Sequence, residues 1–419
     1  MRESATYRDA KKDTELGQVM SPVETFSADK SDRSNLLFFF VYRFKFLIFG
    51  IMSGELVLVS GATGFVGAWV CKKAMEHGFR VRGTVRSLKN KEKVSFLENL
   101  CPGAQYPLEL VEADLLNEES WTAAVKDCKY VLHTASPFFM NKPKHPDDLI
   151  KPAVDGTLCV LKAAADAGTV KRVVVTSSFA AVFEREQQKE GIFTEEDWSI
   201  PEKQQGIYER SKTLAEQAAW KYVQELPEDK KFELCTIQPV GIIGPVLSNN
   251  PATSVDIVVQ LMNGDVPMLP KFYFPLVDVR DVADAHVRCL EVEEAAGKRF
   301  ILYAENIFYP ELGRWLSEEF KSQGYKVSTR QMPNPLMKLF SAFSSPLRLM
   351  RTMGENKIDI SNARLREILG VTPIEIKKSV NEMAYALIEI GRVKKTDKYT
   401  GPPSQAADTG PTTQAAEQE

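Results

Sequence analysis

Histidine is scarce in this 419-residue chain, with four residues, and none stands at a metal-ligand spacing. The six cysteines (Cys71, Cys101, Cys128, Cys159, Cys235, Cys289) are scattered, with no CxxC and no paired spacing. That pattern argues against both a disulfide framework and a zinc site, and fits reduced thiols in a cytoplasmic setting. An excess of basic charge is missing too: 53 Lys and Arg against 56 Asp and Glu leave a formal net charge of -3, so there is no footprint for nucleic acid. No internal repeat is present. What remains is ordinary for a soluble globular protein, 44% apolar and 26% charged, in a length that holds two average domains or one large α/β unit with an added lobe.

The two ends differ from the middle. Residues 1–34 are polar and aperiodic and read as disordered. Leu36 to Met52 is strongly apolar, but Arg43 and Lys45 interrupt it. Twelve Leu, Ile, Val and Phe side chains favour insertion by about 4 to 7 kcal/mol, and two central basic residues oppose it by about 5 to 7. A spanning helix over 36–52 is therefore marginal and an anchor is not favoured. A cleaved signal peptide also fits poorly, since the apolar region starts late and lacks a small-residue cleavage site. Met52 reads as a functional start, because Met-Ser-Gly-Glu leads straight into the first strand. Lys394 to Glu419, rich in Pro, Gly, Thr, Gln and Ala, reads as a disordered tail. The expected folded body is 54–393, between an N-terminal extension over 1–53 and a tail over 394–419.

Within the body, Leu56–Val59 is a short continuous apolar run, as a parallel strand buried on both faces requires. Similar runs recur at Arg80–Val85, Leu108–Val111, Tyr130–Thr134, Arg172–Thr176 and Glu233–Ile237. Helical patterns lie between most of them, including Glu118–Val125, Leu149–Ala167 and Tyr208–Glu225. The alternation predicts an α/β fold, a doubly wound parallel sheet. Beyond Gly244 the rhythm is irregular, and that stretch is expected to build most of a smaller substrate lobe.

Gly61-Ala62-Thr63-Gly64-Phe65-Val66-Gly67 follows the first strand and opens the first helix. Gly61 makes the tight turn, Gly64 lets backbone approach a pyrophosphate, and Gly67 lets helix and strand pack closely. The helix N-terminus offers free N–H groups to phosphates. The tip of the second strand selects the dinucleotide. A carboxylate there would hold the adenosine ribose and select NAD. The sequence instead reads Val81-Arg82-Gly83-Thr84-Val85-Arg86-Ser87, and Arg86, assisted by Lys93, is placed to grip a 2′-phosphate. The expected cofactor is NADPH/NADP+.

Tyr208 and Lys212 stand at i and i+4 and share one helix face. A free tyrosine has a pKa near 10, and an ammonium about 4 Å from its oxygen would favour the phenolate and bring it towards the working pH. Ser178, just past the fifth strand, can hydrogen-bond a substrate oxygen as charge develops on it.

These features together resemble the extended short-chain dehydrogenase/reductases, in their dihydroflavonol 4-reductase-like branch of ketone and aldehyde reductases. The resemblance covers about Glu55 to Val393. It is carried by the Gly-rich loop, Val81–Arg86, Ala113-Asp114-Leu115, His133–Pro137, Asp155-Gly156-Thr157, Thr176–Ser178, Tyr208–Tyr222, Gln238-Pro239 with Gly244-Pro245, and Val277–His286. It implies an NADP-dependent oxidoreductase in which Asp114 and Leu115 flank the adenine and Ala135 lines the cofactor channel. Pro239 and Ile242 would line the nicotinamide, and Lys212 would also bind the nicotinamide ribose. It also implies that Ser178, the last of its run, is catalytic and Ser177 structural.

At one position the chain departs from the plant flavonoid reductases. Five residues after the catalytic Ser they carry Asn or Asp against substrate hydroxyls, and this chain has Phe183. With Phe138, Phe139, Met140 and Phe179 nearby, an apolar pocket is expected, so flavonoid activity is not carried over. The expected partner is a small carbonyl compound, a medium-sized apolar aldehyde or ketone. Two alternatives share the fold and triad: a 3β-hydroxysteroid dehydrogenase and an NAD-dependent sugar-nucleotide epimerase or dehydratase. A third, of a different class, is a non-catalytic NADPH-sensing scaffold. Asp278 and Asp281 are read as structural.

Overall fold

The computed structural model describes residues 54–403, apart from 138–144, 185–190, 205, 251–252, 345–346, 348–349 and 352–355. The chain divides into two units, Met1–Leu47 and Ile48–Glu419, and every described residue belongs to the second. The apolar segment 36–52 lies outside the described residues. Among the described residues no helix is long and apolar enough to cross a membrane.

Seven strands form the main sheet: β1 (Leu56–Ser60), β2 (Arg80–Val85), β3 (Glu109–Glu112), β4 (Tyr130–His133), β5 (Arg172–Thr176), β6 (Glu233–Pro239) and β9 (Arg299–Leu302). Their order is β3-β2-β1-β4-β5-β6-β9 and every pairing is parallel. The order reverses between β1 and β4, which opens a crevice at their carboxyl ends. Six strands lie where the apolar runs place them, within a residue or two at the ends. The seventh, β9, follows the irregular stretch past Gly244 and returns to the main sheet beside β6. That stretch therefore builds body as well as lobe.

Alternation within β1 shows why the strand is apolar throughout. Val57 and Val59 enter one core, with Val70 and Ala74 of α1 (Phe65–Glu76) and Val282 and Val287 of α6 (Val279–Glu291). Leu56 and Leu58 enter the other. That second core lies under α2 (Glu118–Val125), α3 (Asp147–Ala167) and α4 (Ile207–Gln224), represented by Trp121, Leu161 and Ala219. Successive strand side chains point to opposite faces, so a strand covered by helices on both sides needs apolar residues at every position.

A second, three-stranded sheet runs β10-β8-β7, from β7 (Gly241–Ile243), β8 (Tyr273–Asp278) and β10 (Glu305–Phe308). It packs with α5 (Thr253–Asn263), α7 (Tyr309–Phe320) and α9 (Ile376–Glu389) around a separate apolar core that includes Leu261, Leu316 and Leu387; α8 (Asn334–Phe340) lies beyond α7 in the chain. Asp278 caps α6 by accepting from Arg280 N–H at 2.7 Å. Asp281 accepts from Ile374 N–H at 2.9 Å.

Order continues past Val393, so the expected boundary is corrected. Tyr325 donates to the Lys394 carbonyl at 3.2 Å, and Tyr399 packs its ring 6.4 Å from those of both Tyr325 and Tyr385. One aromatic side chain supplies the area that polar neighbours cannot, and a reading by composition passes over it.

His77, at the end of α1, ties that helix to α6. Its Nδ1 lies 2.7 Å from Glu291 Oε1 and its Nε2 3.6 Å from Asp284 Oδ1. Burial opposes charge on the ring, but the two carboxylates outweigh it and lift the pKa to about 9. A pKa raised above its unfolded value stabilises fully below about pH 6.5 and loses that contribution as pH rises through 9. His77→Gln should therefore cost about 2 kcal/mol near pH 6 and much less near pH 9.5, as read by urea unfolding. An equal loss at both pH values would show that the carboxylates do not hold the ring charged.

Candidate active site

The Gly-rich loop stands at the mouth of the crevice between β1 and β4. Gly61 has φ +71°, a conformation that favours glycine. A methyl group there would come within 3.1 Å of Ala135 Cα. The turn is pinned by Gly61 N–H donating to Thr84 Oγ1 (3.1 Å) and Ala62 N–H to Thr84 O (3.0 Å). Gly67 faces the turn so closely that a Cβ would lie 2.2 Å from Gly61 O. Phe65 and Val66 pack on the core while Gly64 is exposed, so the unpaired N–H groups of the first turn of α1 open to the crevice. Thr63 is held from the other lobe, its carbonyl accepting from Asn250 Nδ2 at 2.9 Å. Ala135 N–H donates to Ser60 Oγ at 2.9 Å, which fixes the opposite wall.

At the tip of β2 the Arg86 guanidinium is exposed, and it makes no hydrogen bond or ion pair among the described residues. The turn that presents it is held by Leu88 N–H donating to Glu112 Oε1 at 2.7 Å. Lys93 is exposed on the one-turn helix Lys91–Val94. Asp114 uses Oδ1 to accept from Leu116 N–H at 3.0 Å, and Leu115 lies against Gly156. Pro239 ends β6 and is buried, with its carbonyl accepting from Phe179 N–H at 2.9 Å, and Ile242 sits half-buried in β7. These residues fit a dinucleotide: a glycine cradle with open N–H donors, a free guanidinium, and no carboxylate at the strand tip.

Ser178 and Tyr208 come together, with the Ser178 hydroxyl near enough to the Tyr208 phenol to favour its ionised form. Burial of its hydroxyl pushes the Tyr208 phenol above its ordinary value, and the Ser178 bond works the other way. The ring is half exposed (51%), so solvent blunts that push. The expectation that Lys212 lowers the phenol is not met in this state. Lys212 Nζ instead donates to the Thr176 carbonyl at 3.4 Å, while burial is the largest influence on the phenol and raises it. The geometric reason is that the tyrosine ring turns outwards while the lysine runs inwards to the end of β5. Lys212 is 9% exposed. Burial pushes its pKa down to about 8, and the Glu216 charge opposes that.

Glu216 stands one further turn along the same face and was not singled out in the sequence. It is fully buried, and accepts from Thr236 Oγ1 (2.8 Å), Gln238 Nε2 (2.7 Å), Arg299 Nε (2.8 Å) and Ser177 Oγ. Lys212, Glu216, His133, Thr157 and Ser177 line one small cavity below the crevice. His133 is kept neutral, its pKa pushed by burial and by Lys212 to about 3. The Tyr208, Lys212, Glu216 spacing, four residues at each step, was the signal available.

Phe179 is buried, and Phe183 lies over it with 5.8 Å between ring centres and 45% of the side chain exposed. Phe193, also unforeseen, completes the cluster at 5.4 Å from Phe183 and 5.8 Å from Phe179. Phe138 and Phe139, expected in the same pocket, lie outside the described residues.

The family model described as "NAD dependent epimerase/dehydratase family" matches residues 57–302. A cinnamoyl-CoA reductase of Medicago truncatula is 37% identical over 274 residues, covering 64% of this chain and 82% of that protein. A bifunctional dihydroflavonol 4-reductase/flavanone 4-reductase of Malus domestica is 33% identical over 353 residues, covering 81% and 91%. Among solved structures, yeast methylglyoxal/isovaleraldehyde reductase Gre2 complexed with NADPH superposes with a TM-score of 0.66 at 27% identity, covering 81% of this chain and all of that one. With its parallel seven-stranded sheet and glycine cradle, the chain belongs to the NAD dependent epimerase/dehydratase family, the extended short-chain dehydrogenase/reductases.

Proposed function

We propose that this protein is an NADPH-dependent reductase that converts an apolar aldehyde or ketone to the alcohol. The observation that carries the reading is the Ser178–Tyr208 pair at the mouth of the dinucleotide crevice, above a buried Lys212. NADPH, when bound, supplies the hydride. The protein's own groups do the rest. Tyr208, with its phenol raised rather than lowered, is fully protonated at neutral pH and is a ready donor to a carbonyl oxygen gaining charge. Ser178 reaches the same oxygen with its hydroxyl and orients it. Lys212, at about 8, is mostly cationic at pH 7, and its field favours the phenolate left behind once the proton has gone.

Coenzyme choice rests on Arg86, free and exposed beside a strand tip without a carboxylate. Lys93 assists it, while Asp114, Leu115, Ala135, Pro239 and Ile242 flank the rest of the dinucleotide. Named relatives support a reductase: Gre2 carries NADPH in its crystal structure, and the Malus protein is a reductase of dihydroflavonols. The apolar Phe179–Phe183–Phe193 cluster points to a substrate unlike the latter.

Tyr208→Phe should leave NADPH binding nearly intact and lower turnover about a hundredfold or more, because the proton donor is gone. Comparable turnover would remove Tyr208 from the mechanism. Arg86→Asp should weaken NADPH by about 1.5–3 kcal/mol, the scale of a charged hydrogen bond, and favour NADH by comparison. Equal binding of the two coenzymes by the unmutated protein would contradict the phosphate clamp. At Phe183, a catechol would bury hydroxyls without partners at a cost of about 1–3 kcal/mol. Dihydroflavonols should therefore be reduced at least about tenfold less efficiently than branched aliphatic or aryl aldehydes, compared by kcat/KM. Phe183→Asn should narrow the gap. A preference of the unmutated protein for a dihydroflavonol would show that Phe183 does not face the substrate.

A further inference from the structure

Glu216 is surrounded by more donors than a structural carboxylate needs. Its Oε1 accepts from Thr236, Gln238 and Arg299, and also from Trp220 Nε1 at 3.3 Å. Its Oε2 is engaged by Ser177 Oγ. These donors come from β6 and β9, from the residue just past β5, and from α4 itself. Arg299, the one cation of the group, is buried as well. It stacks its guanidinium 3.7 Å from the Trp198 ring centre and donates to the carbonyls of Glu195 (2.7 Å), Asp197 (2.6 Å) and Ala181 (3.3 Å). Ala181 belongs to the single turn between Ser178 and Phe183.

Ser177 is the residue before Ser178, and Thr176 is the residue whose carbonyl holds Lys212. One carboxylate thus grips the strand end from which both members of the Ser–Lys arrangement are placed. It also supplies the negative charge that opposes burial at the lysine. The other groups lining the cavity with Lys212 among the described residues carry no such charge: His133 from β4 is neutral, and Thr157 from α3, Thr176 from β5 and Ser177 just past it are uncharged; Tyr208, one turn back on α4, is a protonated phenol. Arg299 lies behind Glu216 and is paired with it.

We propose that Glu216 is a positioning residue for the reaction, holding Lys212 as a cation and, through Ser177, fixing the strand end that carries Ser178. The proposal rests on the reductase reading above. It assigns no contact of Glu216 with substrate or coenzyme.

The sign follows from the charges. Removing the carboxylate leaves burial unopposed at Lys212, so the amine loses its proton at lower pH. The test is a pH profile of kcat for the full chain, with NADPH and isovaleraldehyde as probes. Glu216→Gln should lower kcat about tenfold at pH 7. It should move the alkaline limb down by about one pH unit and change KM little. Because Glu216→Gln strands the Arg299 charge, the double variant Glu216→Gln/Arg299→Met removes both buried charges together and should fold. It should show the same shifted limb. Thr236→Val takes one uncharged hydrogen bond from the same carboxylate and should leave the profile in place. An unshifted limb in either folded Glu216 variant, or an equal shift in Thr236→Val, would overturn the proposal, as would failure of both Glu216 variants to fold. Tyr208→Phe is measured alongside. If it retains turnover the reductase mechanism itself has failed, whereas loss there with an unshifted Glu216→Gln profile removes only the role of Glu216.

Discussion

A buried cation has to have its charge answered, and that requirement at Lys212 organises the centre of this protein. The ammonium is nearly out of solvent, where its charged form is penalised, and the compensation is the Thr176 carbonyl and the Glu216 carboxylate. Glu216 in turn is compensated by Arg299, and Arg299 by three carbonyls and the face of Trp198. Lys212 and Glu216 share α4, and the groups that answer them, Thr176, Thr236, Gln238 and Arg299, sit on β5, β6 and β9. Satisfying one charge therefore fixes the relative positions of α4, β5, β6 and β9. Ser178 and Tyr208, the groups proposed to react, stand at the edge of this assembly, one directly after Ser177 and the other one turn before Lys212 on α4.

The sheet supplies the second half of the geometry. Because the strand order reverses between β1 and β4, the chain leaving each of those strands turns away from its neighbour and leaves a crevice. The Gly61 turn enters it from one side and the Ser60–Ala135 contact closes the other. Parallel pairing also puts the carboxyl ends of β4, β5 and β6 on the same edge, where Ala135, Ser178 and Pro239 follow or end their strands. Asn250 reaches across from the smaller lobe to the loop itself. The lobe is thereby tied to the glycine-rich loop.

Much of this was legible in the residues because it is local. Continuous apolar runs mark strands buried on both faces, three glycines mark a turn with close approaches, and i, i+4 spacing puts Tyr208 and Lys212 on one face. What was not legible depends on contacts between residues far apart in the chain. Glu216 meets Arg299 across 83 residues, and nothing in either neighbourhood announces the other. β9 is short, apolar and ordinary, and only its return to the main sheet gives it meaning. Phe193 completes the aromatic cluster because its backbone pairs with the segment at Ile360. The relation between Lys212 and Tyr208 illustrates the limit most clearly. Helical spacing places the two on one face, but the Lys212 ammonium reaches the Thr176 carbonyl in a buried position while Tyr208 stays half exposed. The same holds for Tyr399, where one ring in a polar stretch outweighs the composition around it.

The central claim, that the crevice and the Ser178–Tyr208 pair reduce an apolar carbonyl at the expense of NADPH, is tested most directly by coenzyme consumption. The purified full chain would be followed at the NADPH absorbance band with branched aliphatic aldehydes, aryl aldehydes, ketones, steroids and nucleotide sugars. The account predicts stoichiometric NADPH oxidation with the aldehydes or ketones, faster than with NADH, and none with nucleotide sugars. Conversion of a nucleotide sugar without net coenzyme consumption, or tight NADPH binding with no turnover across the panel, would contradict it.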